Sequence, residues 1–300
     1  MSRIHEALLR AEQERAAREG GSVTPSIFAP VSDTPGFADN SELSTMPASG
    51  GPFTLQNLLA RTGQRQWQPD AERMLFFDGG EAGAGTEEFR TLRSRLYATR
   101  ERMPLKTILV TSALPQEGKS FTSANLAQVM VRQHGRRALL IDADLRGPRL
   151  HQMLGTEVGP GLSEYLQEKN DEFSIMQRGP LENLFFIPGG SSIADPAELV
   201  GNGRLKTLLQ RVEPLFDWII IDSPPVIAVS DASVLAKACD GVLLVVRSHS
   251  TPSDVARKAR QEFSEQVLLG VVLNGTRGDA APYARYYYES YAKKEVPAQV

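Results

Sequence analysis

Thr107-Ile-Leu-Val-Thr-Ser-Ala-Leu-Pro-Gln-Glu-Gly-Lys-Ser120 is the stretch that decides the fold of this chain. Its first five residues, 107–111, form a β-branched apolar run that is typical of a buried strand. A short loop follows, and Gly118, Lys119 and Ser120 then open a helix. Because a helix N-terminus presents unpaired N–H groups and a partial positive charge, this order of strand, loop and helix is suited to holding phosphate.

Three residues of the loop fit a phosphate-binding P-loop. Gly118 lets the backbone approach a phosphate, because glycine has no Cβ. Lys119 can reach the β- and γ-phosphates, and the Ser120 hydroxyl can ligate Mg²⁺. The general pattern begins with a glycine, where this chain has Ala113. An ordinary strand–helix turn that happens to contain Gly-Lys-Ser is therefore the alternative at this point.

Two later apolar runs end in carboxylates. Residues 138–142 end at Asp142, with Asp144 two residues beyond, and residues 218–222 end at Asp222. In a parallel sheet the carboxyl ends of the strands lie on one edge, so these acidic ends share a crevice with the P-loop. Asp222 fits the Walker B role of holding Mg²⁺, directly or through water. Together the three strand ends favour a magnesium–nucleotide site.

This combination resembles the bacterial tyrosine kinases (BY-kinases) of exopolysaccharide and capsule synthesis, in the CpsD/CapB-like group. That family carries a Walker A loop of the form A/S-x-P-x-E-G-K-S/T, which residues 113–120 match, so Ala113 is expected in it. Its Walker A′ motif D-x-D-x-R is matched by residues 142–146, and its Walker B D-x-P by residues 222–224. The resemblance covers roughly residues 80–292.

The resemblance implies ATP and Mg²⁺ as cofactors and gives roles to the site residues. The implied catalytic residues are Lys119, Asp142 and Asp144, and the implied metal ligands are Ser120, Asp142 and Asp222. The nucleotide-binding set is Ala113, Pro115, Gln116, Glu117, Gly118, Lys119, Ser120, Phe121 and Asn274. Asp142 would orient or deprotonate a tyrosine hydroxyl, whose free pKa is about 10, and Asp144 would assist at the metal.

Asn274 follows the last predicted core strand. Related P-loop ATPases often contact the adenine ring from such a position. An asparagine in a turn needs no such explanation, so both interpretations stay open here.

Composition limits the class of protein. A hydrophobic fraction of 41% suits a sizeable core, and a net charge of −3 argues against a general nucleic-acid binder. Cys239 is the only cysteine, which excludes an internal disulfide and suits a reducing compartment. The sequence shows neither a secretory signal nor an apolar run long enough to span a bilayer. We therefore expect a cytoplasmic location, peripheral to the inner membrane through a partner.

Strands alternate with helices, which predicts an α/β P-loop NTPase fold: a mostly parallel sheet with helices on both faces and a largely disordered N-terminal extension. We expect residues 1–20 to form a short helix, either an exposed stub or a docking helix for a membrane partner. Residues 21–80 are a mostly disordered linker, with residues 53–78 ambiguous. The kinase domain is 81–280, and 281–300 is a tyrosine-rich tail.

A charged face lies on the helix predicted over residues 86–100, where Thr86 is the expected cap. Glu87, Arg90 and Arg93 follow at a spacing of three. A solvated face with one weak ion pair is one interpretation. The resemblance implies another, because E-x-x-R-x-x-R is similar to the BY-kinase motif that joins subunits into a ring.

Five of the seven tyrosines of the chain lie within nine residues near the C-terminus. They are Tyr283, Tyr286, Tyr287, Tyr288 and Tyr291. Their spacing is neither helical nor strand-like, so a sticky aromatic tail or a stacking platform is conceivable. The resemblance implies an autophosphorylation cluster instead.

The predicted function is ATP-dependent autophosphorylation of that tyrosine cluster, which would regulate polysaccharide polymerisation or export. The implied partners are other copies in a ring, a transmembrane polysaccharide co-polymerase or activator, and a tyrosine phosphatase, without nucleic acid. A ParA/MinD-type positioning ATPase shares the fold but carries an extra lysine near the start of the loop, where this chain has residues 112–114, Ser-Ala-Leu. A non-catalytic ATP-dependent scaffold of a polysaccharide exporter is the third interpretation.

Overall fold

Strand β2 (Thr107–Ser112) lies between two other strands, as its uniformly buried side chains require. The computed structural model describes residues 54–77, 85–133 and 135–276. The strands are β1 (Gly63–Gln64), β2, β3 (Ala138–Asp142), β4 (Gln177–Arg178), β5 (Leu184–Ile187), β6 (Trp218–Asp222), β7 (Gly241–Arg247) and β8 (Leu268–Asn274). The helices are α1 (Leu55–Arg61), α2 (Thr86–Arg100), α3 (Lys119–Val131), α4 (Leu150–Leu154), α5 (Leu162–Leu166), α6 (Pro196–Gly201), α7 (Arg204–Val212), α8 (Asp231–Ala236) and α9 (Ser253–Gln261).

The strands form one sheet in the order β1-β4-β5-β3-β6-β2-β7-β8. Every pairing is parallel except that of β4 with β5. Alternate residues of β2 face opposite sides: Ile108 and Val110 pack with α2 to α4, and Leu109 packs with α5 to α9. The predicted mostly parallel α/β fold with helices on both faces is confirmed.

The register brings the predicted acidic residues together. Asp142 is paired with Asp222 at the carboxyl ends of β3 and β6, and Val110 of β2 also lies opposite Asp222. The P-loop leaves the same edge of the sheet. The crossover connections of a parallel sheet thus place all three sequence motifs at one site.

Residues 54–77 belong to the stretch, 53–78, that the sequence leaves ambiguous within the linker predicted over residues 21–80, and they pack on the domain. Leu58 of α1 is fully buried, and Trp67 meets Phe186 of β5 edge to face, with ring centroids 6.1 Å apart. Residues 74–77 form a packing arm rather than a strand, with the Leu75 N–H donating to Asn125 of α3 at 2.8 Å. Beyond α1, the apolar residues of this stretch are buried individually and do not follow a helical or strand spacing.

Glycines set two of the helix boundaries. Residues 196–212 hold two helices, α6 and α7, because Gly203 takes a left-handed conformation with φ of +82° between them. Helix α2 is preceded by Gly85 as its N-cap, and Thr86, the expected cap, is a buried helical residue. In both cases a glycine ends or begins a helix at low cost.

The short N-terminal helix, the first part of the linker and the tyrosine tail lie outside the described residues. Within the described ranges, no helix combines the length and the apolar character that crossing a membrane requires.

Candidate functional site

The P-loop joins β2 to α3, and several contacts fix its conformation. Gly118 has φ of +96°, and a Cβ at this position would lie 1.9 Å from the side-chain nitrogen of Asn274. Glu117 is buried; its carboxylate accepts a hydrogen bond from the Leu114 N–H at 2.7 Å and a second one from the Thr251 hydroxyl. The structure therefore requires glycine at position 118. Glu117 stabilises the conformation of the loop from its buried side.

Lys119 connects the P-loop to two other strand ends. Its Nζ lies 2.7 Å from Oδ2 of Asp144 and 4.0 Å from Oδ2 of Asp222. Burial by itself would lower the pKa of the lysine, but the charges of Asp222 and Asp144 outweigh it, so the pKa is raised. The side chain is therefore a permanent cation among carboxylates.

The Ser120 hydroxyl donates to Oδ2 of Asp222 at 2.6 Å. Ser123, one turn further along α3, donates to the other oxygen at 3.1 Å. Burial raises the pKa of Asp222, although Lys119 and these hydroxyls oppose the effect. The predicted metal ligands Ser120 and Asp222 are thus in direct contact.

Asp142 lies at the floor of the site. Its side chain has no exposed surface; Oδ2 accepts the N–H groups of Arg149 and Leu150 at 3.0 Å, and Oδ1 accepts that of Asp144 at 3.3 Å. Burial and the neighbouring Asp222 raise the pKa of Asp142 to about 8. The carboxyl group therefore holds a proton near neutral pH.

Asn274 lies against the P-loop. Its Nδ2 donates to the Glu117 carbonyl at 2.9 Å, and its Oδ1 accepts the Gly275 N–H at 2.9 Å. Arg247, at the end of β7, donates to the Gln116 carbonyl at 3.1 Å. The ends of β7 and β8 thus tie down the loop, a role that the sequence motifs do not indicate for Arg247.

A cavity of about 770 Å³ opens in front of these groups. Most of the predicted nucleotide-binding residues line it: Pro115, Gln116, Gly118, Lys119, Ser120, Phe121 and Asn274. Ala113 and Glu117 are buried behind the loop. The predicted nucleotide-binding set leaves out four arginines of the wall, Arg73, Arg146, Arg149 and Arg247, although Arg146 is the arginine of the D-x-D-x-R match. Three of them lie at strand ends or in the loops that follow. Their position at the carboxyl edge of the sheet was a sequence signal that could have identified them as site residues.

No group of three or more His, Cys, Asp or Glu side chains within the described residues is arranged to hold a metal ion. The predicted metal ligands are only two carboxylates and one hydroxyl. A cation at this site would therefore need further oxygen ligands from another molecule, as Mg²⁺ bound with a nucleotide has.

The predicted oligomerisation residues lie on α2. Glu87 and Arg90 form an ion pair, and Nη1 of Arg93 donates to the Val129 carbonyl of α3 at 2.9 Å. Arg93 therefore has a contact within its own domain, in addition to any role between subunits.

Comparison with known proteins agrees with this geometry. The model of a family described as "AAA domain" matches residues 106–254. The tyrosine-protein kinase YwqD of Bacillus subtilis is 36% identical over 64% of this chain and 81% of its own length. The tyrosine-protein kinase CpsD of Streptococcus agalactiae is 32% identical over 70% of this chain and 91% of its own length.

The solved kinase domain of the Escherichia coli tyrosine kinase ETK aligns with a TM-score of 0.63 and 31% identity, over 69% of this chain and 81% of that one. The chain spans only 29% to 31% of some longer tyrosine-protein kinases that it also matches. Because YwqD and CpsD align over 81% and 91% of their own lengths and are 36% and 32% identical to it there, the chain belongs to the bacterial tyrosine-protein kinases.

Proposed function

We propose that this chain transfers the γ-phosphoryl group of ATP to tyrosines of its own C-terminal cluster. The acceptors are Tyr283, Tyr286, Tyr287, Tyr288 and Tyr291. The observation that carries the proposal is that Lys119, Asp144 and Ser120 line one cavity, where Lys119 contacts Asp144 and Ser120 contacts the buried Asp222 behind the wall. These are the charges and ligands that phosphoryl transfer requires.

The residues present fit ATP with Mg²⁺. The amides of the loop that ends at Gly118 would hold the phosphates, and Lys119 would turn from Asp144 towards them. Ser120 would ligate Mg²⁺, with Asp222 bound directly or through water. When bound, the ion neutralises charge that develops on the transferring group. Asn274 ties the loop from one side, and an adenine contact would use its second amide hydrogen.

Two carboxylates can serve the acceptor tyrosine. Asp144 lines the cavity, whereas Asp142 lies beneath it with both oxygens engaged by backbone N–H groups. Departure of Lys119 to a phosphate would leave Asp144 able to accept from the tyrosine hydroxyl. Asp142, the base suggested by the family motif, would act after Mg²⁺ has lowered its pKa, since a nearby cation favours the charged form.

The setting proposed for this activity is polysaccharide polymerisation or export. Relatives named CpsD and CapB are tyrosine-protein kinases of comparable length. The proposal also includes three partners. Copies of the chain would form a ring through Glu87, Arg90 and Arg93, and a transmembrane activator and a tyrosine phosphatase would act on it. With such an activator, the chain would work at the cytoplasmic side of the inner membrane.

Incubation of the purified chain with MgATP, followed by mass spectrometry of the C-terminal peptide, tests the proposal. We expect phosphate on the clustered tyrosines and none in a Lys119→Met control. ATP hydrolysis without phosphotyrosine would instead favour the positioning ATPase. Nucleotide binding without either reaction, also in the presence of the membrane activator, would favour the scaffold.

A further inference from the structure

A buried carboxylate outside the motifs described above holds one of the arginines of the cavity. Asp231 is the first residue of α8, and its side chain is 2% exposed. Its Oδ2 accepts from Nε of Arg146 at 2.8 Å, and its Oδ1 accepts from Nη2 at 3.0 Å. A two-point pair of this kind fixes the plane and direction of a guanidinium group.

Arg146 is held at the wall of the cavity that also contains Lys119 and Asp144. Its side chain is 41% exposed, so the pairing leaves much of the group accessible. The two bonds use Nε and Nη2, and within the described part of the chain Nη1 donates to no protein group. The hydrogen bonds that Arg146 donates to Asp231 also raise the pKa of Arg146, which keeps it charged.

Phosphoryl transfer places negative charge on the equatorial oxygens of the moving group, and a fixed cation beside them lowers the barrier. We propose that Arg146 contacts the transferring phosphoryl group through Nη1 and that Asp231 is the positioning residue that aims it. This inference rests on the proposed function, because it adds two residues to the same reaction.

The chain contains a matched pair that lies away from the cavity. Arg136 donates to Asp217 at 2.8 Å, with side chains 44% and 20% exposed. Asp217 immediately precedes β6, so this pair lies at the amino edge of the sheet, opposite the P-loop. Asp217→Asn breaks an arginine–aspartate pair without touching the site and is the control for loss of stability.

The experiment compares Asp231→Asn, Arg146→Gln, the double variant and Asp217→Asn in the full chain. The rate of tyrosine phosphorylation and the KM for ATP are measured for each. We expect Asp231→Asn and Arg146→Gln to lower kcat by about 10- to 100-fold with little change in KM, since misdirected groups lose transition-state contacts. The double variant should be no slower than the slower single variant, because the two residues act as one unit.

A second measurement does not depend on turnover. Affinity for MgADP is compared with affinity for MgADP plus aluminium fluoride, which imitates the transferring phosphoryl group. Asp231→Asn should lose affinity for the aluminium fluoride complex by about 10-fold while MgADP binding stays near the wild-type value. Asp217→Asn should behave as wild type in both titrations.

Equal behaviour of Asp231→Asn and Asp217→Asn, or additive losses in the double variant, would overturn the inference. If Asp231→Asn does not fold by circular dichroism, Arg146→Lys replaces it. That change keeps the charge but not the two-point fork, and wild-type rates in Arg146→Lys would also overturn the inference. A wild type that binds MgADP but never forms phosphotyrosine refutes the proposed function alone, because the aluminium fluoride titration still tests Arg146.

Discussion

Lys119 and Asp144 are joined across the site by a contact of 2.7 Å between Nζ and Oδ2. The lysine belongs to the P-loop and the aspartate to the loop after β3, so the contact couples the phosphate-binding element to the Walker A′ motif. The Lys119 ammonium group cannot keep its short contact with Asp144 and also meet a γ-phosphate fully. Nucleotide binding should therefore weaken this contact and change the surroundings of Asp144.

Lys119→Met should abolish ATP binding or turnover and leave the fold intact. Methionine keeps the apolar length of the side chain but removes the cation that meets the phosphates. Titration with MgATP and circular dichroism of the same sample provide the two measurements. Wild-type phosphorylation by the purified variant would refute the assignment of Lys119.

The free energy of unfolding should fall as the pH rises from about 4 to about 8 in protein kept free of metal and nucleotide. The native state holds a proton on Asp142, whose pKa is raised from 3.8 to about 8, while the unfolded state has lost it. The unfolded chain thus binds fewer protons in this window, which makes the slope negative, at most about 1.4 kcal/mol per pH unit for one group.

Urea unfolding at several pH values in EDTA measures this slope. Asp142→Asn removes the titrating group, so its slope should be shallower than that of the wild type. The raised pKa of Asp222 acts in the same direction and leaves a residual slope. An identical pH dependence in the two proteins would contradict the assignment.

Asn274→Ala should weaken binding of ATP and of inorganic tripolyphosphate by similar factors, about 2- to 10-fold, the value of one net hydrogen bond. The expected cause is a looser P-loop, because Nδ2 no longer donates to the Glu117 carbonyl. Competition titrations with both ligands provide the measurement. A loss confined to ATP would favour the adenine contact instead.

Replacing Glu87, Arg90 and Arg93 together by alanine should weaken self-association, which light scattering detects. The contact of Arg93 with the Val129 carbonyl predicts a further effect, because its loss costs about 1 kcal/mol of folding stability. The Glu87→Ala/Arg90→Ala double variant should lose less stability, since exposed ion pairs contribute about 0 to 1 kcal/mol. If the triple variant assembles as the wild type does, the three residues form only a solvated face.

Replacing all five clustered tyrosines by phenylalanine should leave ATP binding intact and keep the protein assembled after ATP is added. Each phosphate adds about −1.5 to −2 charges, so even three add roughly −5 near the carboxylates of the site and near other tails. The unmodified protein should favour the ring and the phosphorylated protein the monomer. Sedimentation before and after ATP measures the change. Dissociation of the phenylalanine variant would point to nucleotide state as the switch.

The sequence by itself determined the α/β class, the P-loop and the two acidic strand ends, all of which the structure brings to one edge. The physical reason is local. A buried parallel strand requires a continuous apolar run, a phosphate-binding turn requires glycine, and strands of one direction end on one edge. Residues 107–120 carry most of this information within a single strand–loop–helix unit.

The tertiary structure decided the contacts that no periodicity of the sequence predicts. Arg146 and Asp231 lie 85 positions apart, and Asn274 meets the P-loop across 157 positions. The packing of residues 54–77 depends on single side chains, such as Leu58 and Trp67, that are buried at separate places in the domain. Such contacts follow from the order of the strands and from burial of charge, which become defined only when the sheet has formed.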